Sequence, residues 1–234
     1  MTQNQPQKPQ ASNTLLELVF NIVVPSLILM KLSSDEYLGT VNALIIALAF
    51  PLLYGIWDFV KSRSLNFFSL LGFLSTLLTG GIGLFELDPQ WLAIKEAAIP
   101  AVIGFVVLMS SFGHKPLIAK LILNPAIFDL EKIYDTLAKN NKVDVFKAEI
   151  NRANLWLAGT FVFSATANYV LARMIVTSPA GTVAFNEELG KMTMLSYPVI
   201  AIPSLLMLIG LLVYVVKIIT KLTELKFEDI VQQE

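Results

Sequence analysis

Six long apolar stretches run through this sequence and constrain its fold more than any other feature. Each is close to the about 20 residues that a helix needs to cross the hydrocarbon core of a bilayer. Only 15% of residues are charged and the mean hydropathy is +0.67, whereas soluble domains carry about 25% charge. We therefore predict an all-α, polytopic integral membrane protein. Its six predicted spans are residues 15–32, 37–60, 65–85, 91–112, 155–175 and 195–216.

Polar segments mark the predicted limits of the membrane domain. Residues 1–13 are polar and rich in Gln, and they lack the charged n-region of a signal peptide, so we predict a disordered tail. Residues 14–219 form the predicted membrane domain, and 220–234 form a C-terminal tail. One connection, residues 113–154 between the fourth and fifth spans, is much longer than the others.

The long connection contains an amphipathic pattern. Its apolar positions follow the spacing i, i+3, i+4, i+7 and i+8, with charged residues on the opposite side, which predicts an amphipathic helix. This helix either packs against its own protein or lies in the membrane interface, and the pattern leaves both open. A second short helix is predicted over 143–152, leading into the fifth span. The apolar positions are Leu130, Ile133, Tyr134, Leu137 and Ala138.

Positive charges are distributed unevenly between the two sides that six spans define. Thirteen of the 17 Lys and Arg residues fall in the two tails, the second-to-third loop and the long connection. Cytoplasmic loops are enriched in Lys and Arg, so we predict that both termini and the long connection are cytoplasmic. The thirteen are Lys8, Lys61, Arg63, Lys115, Lys120, Lys132, Lys139, Lys142, Lys147, Arg152, Lys217, Lys221 and Lys226; the other four are Lys31, Lys95, Arg173 and Lys191.

The residue inventory argues against several classes of function. The chain has no Cys and one His, so it lacks the ligands of iron–sulfur clusters and of Cys- or His-rich zinc sites, and we expect no metal or cofactor. A net charge of −1 gives no basic field for nucleic acid. No Walker lysine loop, HExxH, GxSxG or paired-carboxylate motif is present, so we expect a protein that is not an enzyme.

The first span carries a polar stripe. Glu17, Asn21 and Pro25 are four residues apart, and a carboxylate one turn inside a span is costly unless it is solvated or paired. One interpretation is a proton or cation ligand, with Glu17 and Asn21 lining a cavity. The simpler one is a carboxylate at the cytoplasmic end that reaches the interface or pairs with Lys61 or Arg63.

A second group of charges lies on the predicted outer side. Glu86, Asp88, Lys95 and Glu96 form the densest charge cluster there, next to Trp91, an aromatic residue of the kind found at membrane interfaces. If a site faces outward, we expect it here. The simpler interpretation is a solvated loop with charges at the entry of a helix.

Small residues recur every four positions in the third span. They let helix backbones approach closely, and their hydroxyl groups can bond across helices. We favour internal packing of a central helix over a dimer interface. In the fifth span Asn168 is expected to hydrogen-bond to another helix. The two small-residue sets are Gly72, Thr76 and Gly80, and Ser75, Thr79 and Gly83.

Several short motifs follow one another in order along the chain. They are Leu78-Thr79-Gly80-Gly81, Asp88-Pro89-Gln90-Trp91, Lys95, Pro100, Gly113-His114-Lys115-Pro116-Leu117-Ile118, Asn154-Leu155-Trp156, Phe161, Phe163 and Asn168-Tyr169-Val170-Leu171-Ala172. Their order resembles the intracellular septation protein A family of inner-membrane-spanning proteins, and more closely a longer, uncharacterised branch of it. The likeness covers roughly Val24 to Ile175.

The resemblance implies a bacterial inner-membrane protein linked to septation, cell division or envelope maintenance, without catalytic residues to carry over. We therefore expect a non-enzymatic scaffold, with the lipid bilayer and other envelope or division membrane proteins as its partners. The alternative is a small permease or flippase-like carrier, favoured by the prolines within the predicted spans and by the Glu17 and Asn21 stripe. The sequence does not indicate an oligomeric state.

Overall fold

The computed structural model describes residues 19–62, 67–113, 116–125 and 127–231. In these ranges the regular secondary structure is helical, apart from one isolated antiparallel bridge between Phe128 and Val231. Two π-helical turns interrupt the pattern, one before the first α-helix and one between the eighth and ninth. The α-helices are α1 (Val24–Lys31), α2 (Thr40–Ser62), α3 (Phe67–Leu84), α4 (Gln90–Phe112), α5 (Leu117–Ile122), α6 (Leu130–Lys139), α7 (Val143–Ile175), α8 (Val183–Ser196), α9 (Ile202–Thr223) and α10 (Phe227–Ile230); the π-turns are Val19–Val23 and Tyr197–Ala201.

Four helical segments within the described ranges are long and apolar enough to cross a membrane. They are Thr40–Trp57 in α2, the whole of α4, the whole of α7, and the continuous run Val183–Thr223. They correspond to the second, fourth, fifth and sixth predicted spans. The first and third predicted spans coincide with shorter apolar helices, Val19–Lys31 and Leu70–Leu84. The all-helical prediction is confirmed, and these helices are those expected of a multi-pass membrane protein.

Two helices extend well beyond the spans predicted from hydropathy. The helix α7 has 33 residues, so the short helix predicted over 143–152 is its first part rather than a separate element. The predicted loop before the sixth span contains α8, which continues through the π-turn Tyr197–Ala201 into α9. Pro198 lies in that turn. Because proline has no N–H to donate, a widened turn accommodates it without ending the helix.

The described chain forms two compact units. The first comprises the described residues up to Lys95 together with Val170–Tyr197, and the second comprises Glu96–Tyr169 and the described residues from Pro198 onward.

The core of the first unit lies where α8 packs against α1 and α2. Gly190 has no side chain, and a Cβ placed there would lie 2.8 Å from the Ser26 carbonyl oxygen, so α8 and α1 are in very close contact. Asn186, which is 1% exposed, donates to the Ser33 hydroxyl at 3.1 Å and to the Thr40 carbonyl at 2.9 Å. Its amide thus links α8 to the α1–α2 connection. The surrounding apolar residues include Leu29, Leu44, Ala47, Ile82, Leu92, Phe185 and Leu189.

The second unit has a separate core that gathers α5, α6, the first part of α7 and the end of α9. The carboxylate of Asp129 accepts from the Lys132 amide at 3.0 Å and so begins α6. The Asp129 amide donates to the Ile230 carbonyl at 2.9 Å, which places α10 beside α6. Of the apolar stripe predicted for α6, Ile133 and Leu137 are fully buried in this core, Leu130 is half-buried, and Tyr134 and Ala138 are exposed. The core also contains Ile118, Phe128, Phe146, Ile150, Val215, Ile219 and Ile230.

Candidate functional site

A lysine on α4 contacts the hydroxyl groups of α3 within the first unit. The Lys95 ammonium donates to Thr79 Oγ1 at 2.7 Å and to Ser75 Oγ at 3.2 Å. Thr79 is only 8% exposed, and its own hydroxyl donates to the Ser75 carbonyl at 3.0 Å. The Thr79 oxygen therefore both donates and accepts, which polarises the chain of hydrogen bonds and strengthens its link to the cation.

This arrangement differs from the simpler interpretation of Lys95 as a solvated charge at the helix entry. Lys95 is half-buried and lies about 8 Å along α4 from its first residue, at 1.5 Å per residue. An ionisable group within a membrane span is costly unless it faces polar partners, as Lys95 does here. The Lys95 ammonium therefore joins α4 to α3 through the hydroxyl groups of Ser75 and Thr79.

The other residues of the predicted outer charge cluster have separate environments. Asp88 accepts from the Gln90 amide at 2.7 Å and thereby caps the start of α4. Glu86 has a positive φ of 52°, and its side chain lies against Gly181, where an added Cβ would come within 2.9 Å of it. Glu96 is half-buried and belongs to the second unit. The structure therefore places Lys95 against the small-residue stripe of α3, whereas Asp88 caps α4 and Glu86 lies against Gly181.

The two small-residue sets of α3 have different surroundings. A Cβ on Gly83 would overlap the Leu44 side chain, and one on Gly80 would lie 3.0 Å from Leu48. These two glycines therefore allow α3 to pack closely against α2. A Cβ on Gly72 would meet no atom within 4 Å, so Gly72 is not needed for close packing.

A cavity of about 220 Å³ lies beside Gly72 in the first unit. It is lined by Asn21 of the first π-turn, by Gly55 of α2, and by Gly72 and Thr76 of α3. The Asn21 Oδ1 atom is buried and has no hydrogen-bond partner. A Cβ on Gly55, as on Gly72, would meet nothing within 4 Å. The cavity thus lies beside Asn21, one residue of the polar stripe, and two glycines leave its space open.

Glu17, the other half of the predicted polar stripe, lies outside the described residues. Pro25 is buried in the first turn of α1, directly after the π-turn Val19–Val23, and such a widened turn accommodates a residue that has no N–H to donate.

The hydrogen bonds of the asparagine side chains on α7 and α8 differ from the prediction. Asn168 donates to the Ser164 carbonyl of its own helix at 2.8 Å, whereas a bond to another helix was expected. The residues that do join separate elements are Asn186, described above, and Asn154, which is fully buried and bonds to α4 and α5. Asn154 is recognisable in the sequence as the polar residue at the start of the fifth apolar stretch. Asn186 lies in what hydropathy marks as a loop, so no sequence signal singled it out.

Within the described ranges no group of three or more His, Asp or Glu side chains is arranged to hold a metal ion. In comparisons with protein-family models, curated proteins and solved structures, no match to this chain was found. The resemblance to the septation family therefore depends only on the ordered motifs in the sequence.

Proposed function

We propose that this chain is a bacterial inner-membrane protein with six spans and both termini in the cytoplasm, and that it supports envelope maintenance or septation as a non-enzymatic scaffold. The uneven distribution of Lys and Arg supports this orientation. The 18 residues of α3 span about 27 Å, which is close to the about 30 Å of a hydrocarbon core and supports its inclusion among the spans.

The folded helical module of the second unit carries the scaffold proposal. Here α5, α6, the first part of α7 and α10 pack together with residues of α4 and α9 around one core, so the long connection is a folded platform rather than a linker. The side of α6 that faces away from this core presents charged side chains, including Glu131, Asp135 and Lys139, all exposed. A fixed pattern of exposed charges selects partners by complementary charge.

Charge reversal on α6 tests the scaffold. We expect the triple variant Glu131→Lys, Asp135→Lys and Lys139→Glu to reduce cross-linking to partner proteins by at least about tenfold, because like charges brought together at an interface cost several kcal/mol. The measurement is in-cell cross-linking, together with rescue of a strain that lacks the native copy. The deletion of Lys132–Lys147 would be a poor test, because it removes the buried residues Ile133 and Leu137.

The matched control keeps each charge at the same positions, with Glu131→Asp, Asp135→Glu and Lys139→Arg, and should behave as wild type. Because the chain has no Cys, a single Lys139→Cys substitution reports insertion and orientation through labelling from the cytoplasmic side alone. Unchanged cross-linking and rescue in the reversed variant would contradict the proposal.

A small permease or flippase-like carrier is the second candidate. The observation in its favour is the cavity of about 220 Å³ lined by Asn21, whose buried Oδ1 is an acceptor left for a ligand that donates a hydrogen bond. The π-turn that contains Asn21 adds support, because π-turns occur frequently at functional sites.

Substitutions of the polar stripe separate the two candidates. We expect Glu17→Gln combined with Asn21→Ala to rescue the deletion strain fully, because a scaffold that acts through α6 does not use this stripe. Growth and division of the rescued strain are the measurement, with Asn42→Ala, an exposed position on α2, as the control. Loss of rescue at normal membrane levels would favour the carrier over the scaffold.

A further inference from the structure

A second and larger pocket, of about 690 Å³, lies entirely within the second unit. Its volume falls within the range of about 300–1,000 Å³ typical of small-molecule sites, which are mostly apolar with a few placed polar groups. Its apolar wall includes Leu123, Tyr134, Phe146 and Ile150, and Lys120, Lys147 and Asn151 also line it. We propose that this pocket binds an anionic phospholipid with a hydroxyl-bearing headgroup.

The two lysines supply the charge that such a headgroup requires. Lys120 and Lys147 are both exposed, on α5 and α7, so their ammonium groups remain hydrated while the pocket itself is largely apolar. Lys147 pairs with Asp144 at 3.2 Å, and the two side chains are 69% and 96% exposed. An ion pair this exposed is weak, so a phosphate can compete with Asp144 for the lysine.

The amide oxygen of Asn151 accounts for the proposed preference for a headgroup that carries a hydroxyl group. Its Oδ1 atom is buried and has no hydrogen-bond partner. A buried acceptor of this kind is normally satisfied by a donor. A phosphate oxygen cannot donate when it is ionised, whereas a hydroxyl group on the headgroup can, so phosphatidylglycerol satisfies both the lysines and Asn151.

The position of the pocket along the helices agrees with a headgroup. Ser111, which also lines it, is next to Phe112, the last residue of α4. Asn151 precedes by four residues Leu155, where the apolar part of α7 begins. If the fourth and fifth spans end at the cytoplasmic interface, as proposed above, the pocket lies at headgroup level, where basic pockets bind anionic lipids. The lipid inference depends on that membrane placement but not on the scaffold role.

Native mass spectrometry of the full chain in detergent tests the proposal, with phosphatidylglycerol and phosphatidylcholine titrated separately. We expect phosphatidylglycerol to bind more tightly, and the double variant Lys120→Gln with Lys147→Gln to weaken its binding by on the order of 30-fold, because each lysine near an anionic headgroup contributes about fivefold. Asn151→Leu should weaken phosphatidylglycerol binding while leaving phosphatidylcholine binding unchanged.

The matched control is Lys217→Gln with Lys221→Gln, which removes two exposed positive charges of the same unit that do not line the pocket. It should retain wild-type binding. Equal loss in both double variants would show attraction by overall charge rather than by the pocket, and equal affinity for the two lipids would show that the headgroup is not recognised. Either result would overturn the lipid inference without bearing on cross-linking through α6.

Discussion

Gly190→Ala is expected to destabilise the first unit by about 1–3 kcal/mol, the usual cost of overpacking a closely packed site. The new Cβ would lie 2.8 Å from both the Ser26 carbonyl oxygen and Met30 Cγ, and 3.3 Å from Leu29 Cβ. The Met30 side chain can move, but the backbone oxygen of α1 moves only with its helix. The higher helix propensity of Ala, worth up to about 1 kcal/mol over Gly, offsets part of this cost.

The measurement is the unfolding midpoint of the purified protein in detergent. Gly72→Ala serves as the control in the same unit, because a Cβ there meets no atom within 4 Å, and we expect it to be neutral or slightly stabilising. If the two variants unfold at the same midpoint, the close contact of α8 with α1 does not contribute to stability.

Hydropathy predicted the limits of an apolar helix well where helix-capping residues or proline lie at the edge of the apolar stretch. The predicted fourth span, 91–112, matches α4 within one residue, because Asp88 and Pro89 mark the helix start in the sequence. Hydropathy did not show that the short helix predicted over 143–152 is continuous with the fifth span, and it missed α8, since a helix does not end where the lipid does. Thr182, whose hydroxyl accepts from the Phe185 amide at 3.1 Å, was a visible cap for α8.

The candidate sites show a different limit of prediction from sequence. The spacing of Ser75 and Thr79 predicts that they lie on one side of α3. Whether that side faces Lys95 depends on how α3 and α4 pack against each other, and residue spacing within one helix gives no information on this. The cavity beside Asn21 was foreseen only as one of two alternatives. Asn168 and Asn154 are both on α7, and composition alone did not show that one bonds within its own helix and the other across to separate elements.

Asn154 supplies the cap that α5 lacks. The helix α5 has six residues and begins after Pro116 without a side-chain cap of its own, and the first N–H groups of any helix need external acceptors. The Asn154 Oδ1 atom accepts from the Ile118 amide at 3.0 Å, and Ser110 Oγ accepts from the Leu117 amide at 3.1 Å. The Asn154 amide group also donates to the Val107 carbonyl at 2.8 Å. One side chain of α7 thus fastens the end of α4 and the start of α5.

We expect Asn154→Leu to destabilise the second unit by about 2–4 kcal/mol, because it leaves the buried Ile118 N–H without an acceptor and removes the donors to α4, and each unsatisfied buried group costs about 1–3 kcal/mol. Asn168→Leu, on the same helix, should cost less than about 1 kcal/mol, since the Asn168 hydrogen bonds run to Ser164 one turn away. Hydrogen exchange at the Ile118 amide provides a local measurement beside the unfolding midpoint. Faster exchange there in Asn154→Leu but not in Asn168→Leu is the expected result. Equal losses of stability in the two variants, with exchange at Ile118 unchanged, would show that α5 is held by its apolar contacts rather than by Asn154.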